Sequence, residues 1–372
     1  MGKYFKASDY YPDDKDIYDF LDSQTRSIEP IASFLRSRYV FVSKEDDKEH
    51  LQVYSSLLYF DWPSANKLVD TVNIREVEQK VCHSKICVDT GIEVVKSAIQ
   101  AVKDGRDCSK REVYQIRQNS NDTIEIDVTY LDIDTSKTRV LQKREKDLQI
   151  VASKNGEEWC FRYTDNDRSK TIVKEIKEKL LTEIQLDTCT EKIIDLSHIR
   201  DHSVRVDFFK KMMTEIEGFR FLGASTIKVD RLPRETQPQN DDDDDIDQEE
   251  QIIELENRLK KVIMYGQDLF TVREFQELVR DGFFISSSQW KSQKRDGNPE
   301  VIEFSAGFNN SPEGKDFYYK VLGVYKLDDG GNLKKVREKV FGLERDTYLS
   351  ALEKNAYNAL ISVENTANEH DS

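Results

Sequence analysis

The sequence predicts an α+β multidomain protein with three folded parts. These are an N-terminal helical module, an antiparallel-sheet α+β domain, and C-terminal helices with a β-meander and a terminal helix. Three observations predict it. The hydrophobic period shifts from about 3.6 to 2 near residue 119, where TIEIDVTYL begins to alternate. The stretch LPRETQPQNDDDDDIDQEE at 232–250 carries eight acidic residues among its last ten, a composition that resists packing. Asn155-Gly156 and Asp296-Gly297 are hairpin dipeptides set between strand-like runs. The expected boundaries are 1–118 for the helical module, 119–231 for the first α+β domain, 232–250 for an acidic linker, 251–363 for the second α+β domain and 364–372 for a frayed tail. A length of 372 residues fits several cores better than one.

In the helical module, Ile28–Leu35 has helical apolar spacing and leads into RSRYVFVS, a short extended apolar run. HLQVYSSLLYF places Leu51, Tyr54 and Leu58 on one helical face. Pro63 sits at the start of another helix, and a further one runs from about Gly91 to Lys103. Small helices joined by an extended link resemble, in architecture alone, the SAP-type helix–extension–helix module that touches DNA. From 119 to 165 a four-strand meander is expected, built from TIEIDVTYL, TRVLQKR, LQIVA and EEWCFRY. An amphipathic helix with Ile172, Ile176 and Leu180 in line follows, then KIIDL as a strand, VRVDFFKKMMTEIEG as a helix and FRFLGASTIKV as a strand.

Beyond the acidic run, Ile252, Leu255, Leu259 and Val262 space as a helix ended by Gly266. Thr271 and Glu274 form a capping-box signature for VREFQELVR. FFISSSQWKSQKR and PEVIEFSAGF read as one hairpin, FYYKVLGVYKL and LKKVREKVF as a second. The terminal helix carries Tyr348, Leu352 and Leu360.

Composition narrows the function. The chain has 56 basic and 71 acidic residues, a net charge of −15, so its whole surface does not suit a polyanion. Without an apolar run of about 18 residues, no membrane partner is expected. MGKYFKAS lacks the apolar stretch of a secretory signal, and five irregularly spaced cysteines suit a reducing compartment, so a cytoplasmic location is expected. The chain contains neither a phosphate-binding Gly-rich motif nor a nucleophile elbow, and no cofactor is expected.

Cys82, His83, Cys87 and Cys108 are zinc-ligand types, but their spacing lacks the paired knuckles of a structural site, so no metal is expected. His198 and His202 lie four apart, yet Ser203 reads as the N-cap of the next helix, which leaves both in a turn. The acidic pairs Glu125/Asp127 and Asp132/Asp134 suggest a two-metal nuclease, but Glu125-x-Asp127 and Glu300…Glu303 lack the lysine of its motif. No catalytic residue is therefore nominated.

Basic clusters carry more weight. Lys137, Arg139, Lys143, Arg144 and Lys146 fall on one strand and its turn. Trp290, Lys291, Lys294 and Arg295 fall on a hairpin after two helices, a winged-helix order in which Trp290 could stack on bases. These nine residues are the expected nucleic-acid contacts. The expected function is a non-catalytic binding or regulatory subunit of a multiprotein assembly, acting near nucleic acid in a prokaryotic system against foreign DNA. Its partners are a protein or a second copy, with nucleic acid reached through the local basic faces. The alternative is a divergent metal-dependent nuclease or other DNA-associated enzyme.

Overall fold

The computed structural model describes residues 12–25, 27–43, 45–72, 79–106, 112–186, 188–231, 261–266, 269–296, 299–328 and 330–370. Helices combine with antiparallel β-sheet, so the class is α+β. Two compact units form from discontinuous segments: Met1–Val77, Ile92–Ile150 and Glu175–Leu180 in the first, and Glu78–Gly91, Val151–Lys174 and Leu181–Ser372 in the second. These bounds differ from the division expected at 118 and 231. The acidic stretch 232–250 and the helix expected over 252–260 lie outside the described residues.

In the first unit, α1 (Asp14–Gln24) opens with a capping box in which the Asp13 side chain accepts the Asp16 N–H and the Asp16 side chain answers. The apolar faces of α1, α2 (Glu29–Ser37), α3 (Lys48–Ser56) and α4 (Trp62–Val72) meet in a core of Ile17, Phe20, Ile31, Phe34, Leu51 and Leu68. α5 (Ile92–Gly105) buries Val95, Ala98, Ile99 and Val102. β2 (Val113–Ser120) pairs with β3 (Thr123–Ile133), whose Ile124, Ile126, Val128 and Tyr130 alternate into the interior as the period of 2 predicts. TRVLQKR is not the expected strand. Arg139–Leu141 form a 3-10 turn, and β4 (Lys143–Asn155) begins after it.

In the second unit, β1 (Val81–Cys87) pairs on one side with β5 (Glu158–Thr164), from Val81 opposite Thr164 to Cys87 opposite Glu158. Its other side takes β6 (Glu191–Lys192) and, at Val81, β11 (Lys315–Tyr325). The order then runs β11, β10 (Val301–Asn310), β9 (Phe283–Lys294), β7 (Phe219–Arg231) and β8 (Lys261–Tyr265). α6 is Asp167–Glu183, α7 His202–Thr214, α8 Arg273–Arg280 and α9 Gly342–His370. Phe208, Phe209 and Met212 of α7 pack with Phe308 and Phe317 of the sheet and with Leu349, Leu352 and Ala356 of α9.

Several expectations need correction here. Val262, expected on a helix, lies in β8 opposite Val229. The α8 N-cap is Val272, not the Thr271/Glu274 box. β11 is the second arm of a hairpin with β10, while 333–341 contributes only isolated bridges such as Val324 to Glu338. The Asn155-Gly156 turn does join β4 to β5, with Gly156 at φ 64°.

Candidate binding surfaces

The extended link after α2 is built by period-2 alternation. Val40 and Val42 pack on the helical core, while Tyr39 and Phe41 point outward at 88% and 78% exposure. α2 ends in a Schellman motif. The Val40 N–H donates to the Leu35 carbonyl at 3.0 Å and the Tyr39 N–H to the Arg36 carbonyl at 3.0 Å. That motif puts Tyr39 in the left-handed region, φ 64°, a position where glycine is usual. A non-glycine residue there costs about 1–2 kcal/mol.

Arg38 fastens the link to the chain after α3. Its Nη1 donates to the Tyr59 carbonyl at 2.9 Å, and its guanidinium covers the stacked rings of Phe34 and Phe60. In the chain after α3, Leu57 (67% exposed), Tyr59 (82%) and Trp62 (51%) are exposed as well. Tyr54, expected on one helical face with Leu51 and Leu58, is 45% exposed, while Leu51 is buried. The sequence holds the signal for this surface in the Tyr-Val-Phe-Val alternation, which was read only as an apolar run.

The first predicted cation cluster lies in the same unit. Asp134 organises the turn before it, accepting from Ser136 N–H at 3.1 Å and Ser136 Oγ at 2.6 Å. Those bonds hold its carboxyl below the usual range. Each cation meets a carboxylate: Lys137 with Asp134 (3.5 Å), Arg139 with Asp16 (3.3 Å) and Asp13 (3.8 Å), Arg144 with Asp70 (3.1 Å), and Lys146 with Asp132 (2.5 Å). Lys143 is engaged by a neighbour as well. Lys137, Arg144 and Lys146 line a cavity of about 520 Å³ together with Ser23, Gln24, Ser136, Thr138, Leu141 and Glu145. Arg139 and Lys143 are not in its wall.

The second predicted cluster is corrected by the fold. β9 lies between β7 and β10, so it is an interior strand rather than a protruding wing. Trp290 is fully buried and stacks on Phe304 at 5.7 Å, which removes it from any base. Lys291 Nζ sits 4.4 Å over the Tyr325 ring. Lys294 and Arg295, at the strand's end, are exposed. The neighbouring serines are inward-facing: Ser286 and Ser288 donate to the Lys228 and Thr226 carbonyls, each at 3.2 Å.

The zinc-ligand types do not converge. Cys82 and His83 are buried in β1, Cys87 contacts Glu158 at 3.4 Å, and Cys108 lies outside the described residues. Burial pushes the Cys82 thiol far up. Among the described residues, no three or more His, Cys, Asp or Glu side chains are placed to hold one metal ion. His202 opens α7, whose N-cap is Asp201 rather than Ser203, with the Asp201 carboxylate accepting the Ser203 N–H at 2.7 Å. His198, in the preceding turn, faces Glu364 at 3.3 Å, so the two histidines act apart. Glu125 accepts from Asn119 and Gln149, and Asp127 pairs with Arg117.

The second unit also holds a buried polar group that the sequence reading missed. Glu353 of α9 accepts from Tyr319 Oη (2.9 Å), Cys160 Sγ (2.9 Å) and Arg162 Nη2 (3.2 Å). Burial raises its carboxyl, but the charges of His83 and Arg162 and these hydrogen bonds outweigh that and hold it at about 2. His83 lies edge-on to Tyr357 (4.6 Å) and Tyr319 (5.3 Å), with neither ring nitrogen hydrogen-bonded. Burial drives it down to about 4, against the opposing pull of Glu353. His83, Cys160, Tyr319 and Glu353 are each less than a tenth exposed, so this group is a fastening of α9 to the sheet rather than a substrate site.

Comparison with known proteins places the chain in no group: neither a family model nor a curated protein matches it. Among the described residues, no helix is long and apolar enough to cross a membrane.

Proposed function

We propose that the chain is a non-catalytic binding or regulatory subunit of a multiprotein assembly, and that its protein partner docks on the aromatic face around Tyr39. The observation that carries this reading is Tyr39 itself. A tyrosine is held in a left-handed backbone position at a cost, with its ring out in water, where glycine would serve the fold better. A strained and exposed aromatic points to a role outside the folding of its own chain.

The neighbouring side chains give the surface a useful size. Tyr39, Phe41, Leu57, Tyr59 and Trp62 are each more than half exposed. The exposed areas of these five residues sum to on the order of 700 Å², against ~800 Å² per partner in a standard interface. Aromatic anchors supply most of the binding energy at such sites.

Tyr39→Gly separates binding from folding. Full-length wild-type and variant chains serve as baits in matched pull-downs, each with and without nuclease treatment. The expected result is a nuclease-resistant partner that the variant loses while melting at an equal or higher temperature. If the variant keeps every partner, or loses its partner only by unfolding, the reading fails.

A further inference from the structure

Beyond partner docking, the cavity beside the Arg139–Leu141 turn has the features of a ligand site. Its volume, about 520 Å³, lies in the range of small-molecule pockets and far exceeds that of a bare ion. Three cations, Lys137, Arg144 and Lys146, share its wall with one carboxylate, Glu145. Their carboxylate partners do not neutralise them firmly. The Lys137, Arg144 and Lys146 side chains are 51%, 29% and 49% exposed, and Asp70, which holds Arg144, is 71% exposed. Solvent-exposed pairs of this kind contribute little, so a doubly charged anion with several acceptor oxygens can displace them.

The cavity wall is also formed in advance. The Asp134 N–H donates to the Gln142 carbonyl at 2.9 Å, the Leu141 N–H to Thr138 at 2.8 Å, and Gln142 Nε2 to the Lys137 carbonyl at 3.1 Å. Val140 and Leu141 anchor the turn on the helical core. The Thr138 hydroxyl at this wall is buried and has no hydrogen-bond partner. A turn braced this way loses little freedom when a ligand arrives.

We infer that this cavity binds a small organic phosphate of mononucleotide size, with Arg144, Lys137 and Lys146 receiving the phosphate. Arg144 suits a bidentate grip on phosphate oxygens, and the two lysines add point charge. Leu141 gives the organic portion an apolar contact.

The test is isothermal titration calorimetry on the full-length chain with AMP, GMP, CMP and UMP. The four matching nucleosides, inorganic phosphate and a twelve-residue oligothymidylate form separate arms. At least one mononucleotide should bind, its nucleoside should bind at least tenfold more weakly, and added salt should weaken the complex. Arg144→Gln and Lys137→Gln should each reduce affinity about tenfold with unchanged melting temperature. Tyr39→Gly should leave it intact, which keeps this outcome separate from that of the docking face. The inference is overturned if no mononucleotide binds at millimolar concentration, or if nucleoside and nucleotide bind equally. It is overturned too if Arg144→Gln and Lys137→Gln leave affinity unchanged, or if only the oligonucleotide binds, which would assign the cations to a nucleic-acid backbone.

Discussion

Replacing His83 with leucine should stabilise the second unit and remove part of its acid sensitivity. The imidazole is buried, both of its nitrogens lack partners, and its neighbours are the rings of Tyr319, Tyr357 and Phe317. An unsatisfied buried polar group costs about 1–3 kcal/mol, whereas an apolar side chain of similar volume does not. Burial depresses the histidine from 6.5 to about 4, despite the nearby Glu353 charge and helped by Lys85 and Arg162. A depressed group contributes its full stability above the unfolded value and loses it as pH falls toward the folded one. Unfolded His83 therefore takes a proton below about 6.5, while the folded group stays neutral until about 4. At pH 5.5 the wild type should lose roughly 1 kcal/mol from this group, and the loss should grow as pH falls toward 4. Urea unfolding followed by the fluorescence of buried Trp159 and Trp290 measures the difference at pH 7.5, 5.5 and 4.5. The leucine variant should equal or exceed the wild type at pH 7.5, and its advantage should grow by roughly 1 kcal/mol at pH 5.5. A constant difference across this range, or a leucine variant destabilised at pH 7.5, would refute the reasoning.

Other predictions test the second unit elsewhere. Arg205 is buried and donates to the carbonyls of Ile199 (2.7 Å), Pro312 (3.1 Å) and Leu196 (3.2 Å), so Arg205→Met should cost about 3 kcal/mol or more in denaturant unfolding. A loss under 1 kcal/mol would mean that these carbonyls find other donors. A Cβ added to Gly307 would lie 2.4 Å from Ser287 Cβ and 2.8 Å from the Ser286 carbonyl, so Gly307→Ala should destabilise by about 1–3 kcal/mol, and an unchanged melting temperature would contradict the close strand approach. Cys82 and Cys160 are buried with thiols pushed well up, while Cys87 and Cys189 are half-buried. A thiol reagent read by peptide mass should therefore modify Cys87 and Cys189 first and reach Cys82 and Cys160 only on unfolding. Early labelling of Cys160 would show that the Glu353 group opens in the native state.

Local pattern in the sequence determined those elements whose signal is contained within a few residues. The apolar spacing of Ile31, Phe34 and Leu35 marks α2, and Val204, Phe208 and Met212 mark α7. The alternation from Ile124 to Tyr130 marks β3, and Asn155-Gly156 marks the turn after β4. β1 falls inside the module expected to be mostly helical, because VCHSKIC has no alternation to display. Its two edges are paired by strands 70 to 240 residues away, such as Arg162 opposite His83 and Tyr319 opposite Val81, and its residues are mostly buried. SSSQWKSQK pairs with VIEFSAG as the hairpin dipeptide predicts, but not as a wing with Trp290 exposed. Its serines and Trp290 are inward because β9 is flanked by β7 and β10, and only that pairing turns hydroxyls toward the Lys228 and Thr226 carbonyls. The candidate surfaces divide in the same way. Lys137, Arg144 and Lys146 were visible as a run of charge, but the cavity they share with Ser23 and Gln24, and the aspartates that pair with them, were not. Tyr39 and Phe41 stand out in water because Val40 and Val42 are claimed by a core assembled from four helices. Periodicity records which side chains avoid water; which of them meet, and which are left outside, depends on contacts between segments far apart in the chain.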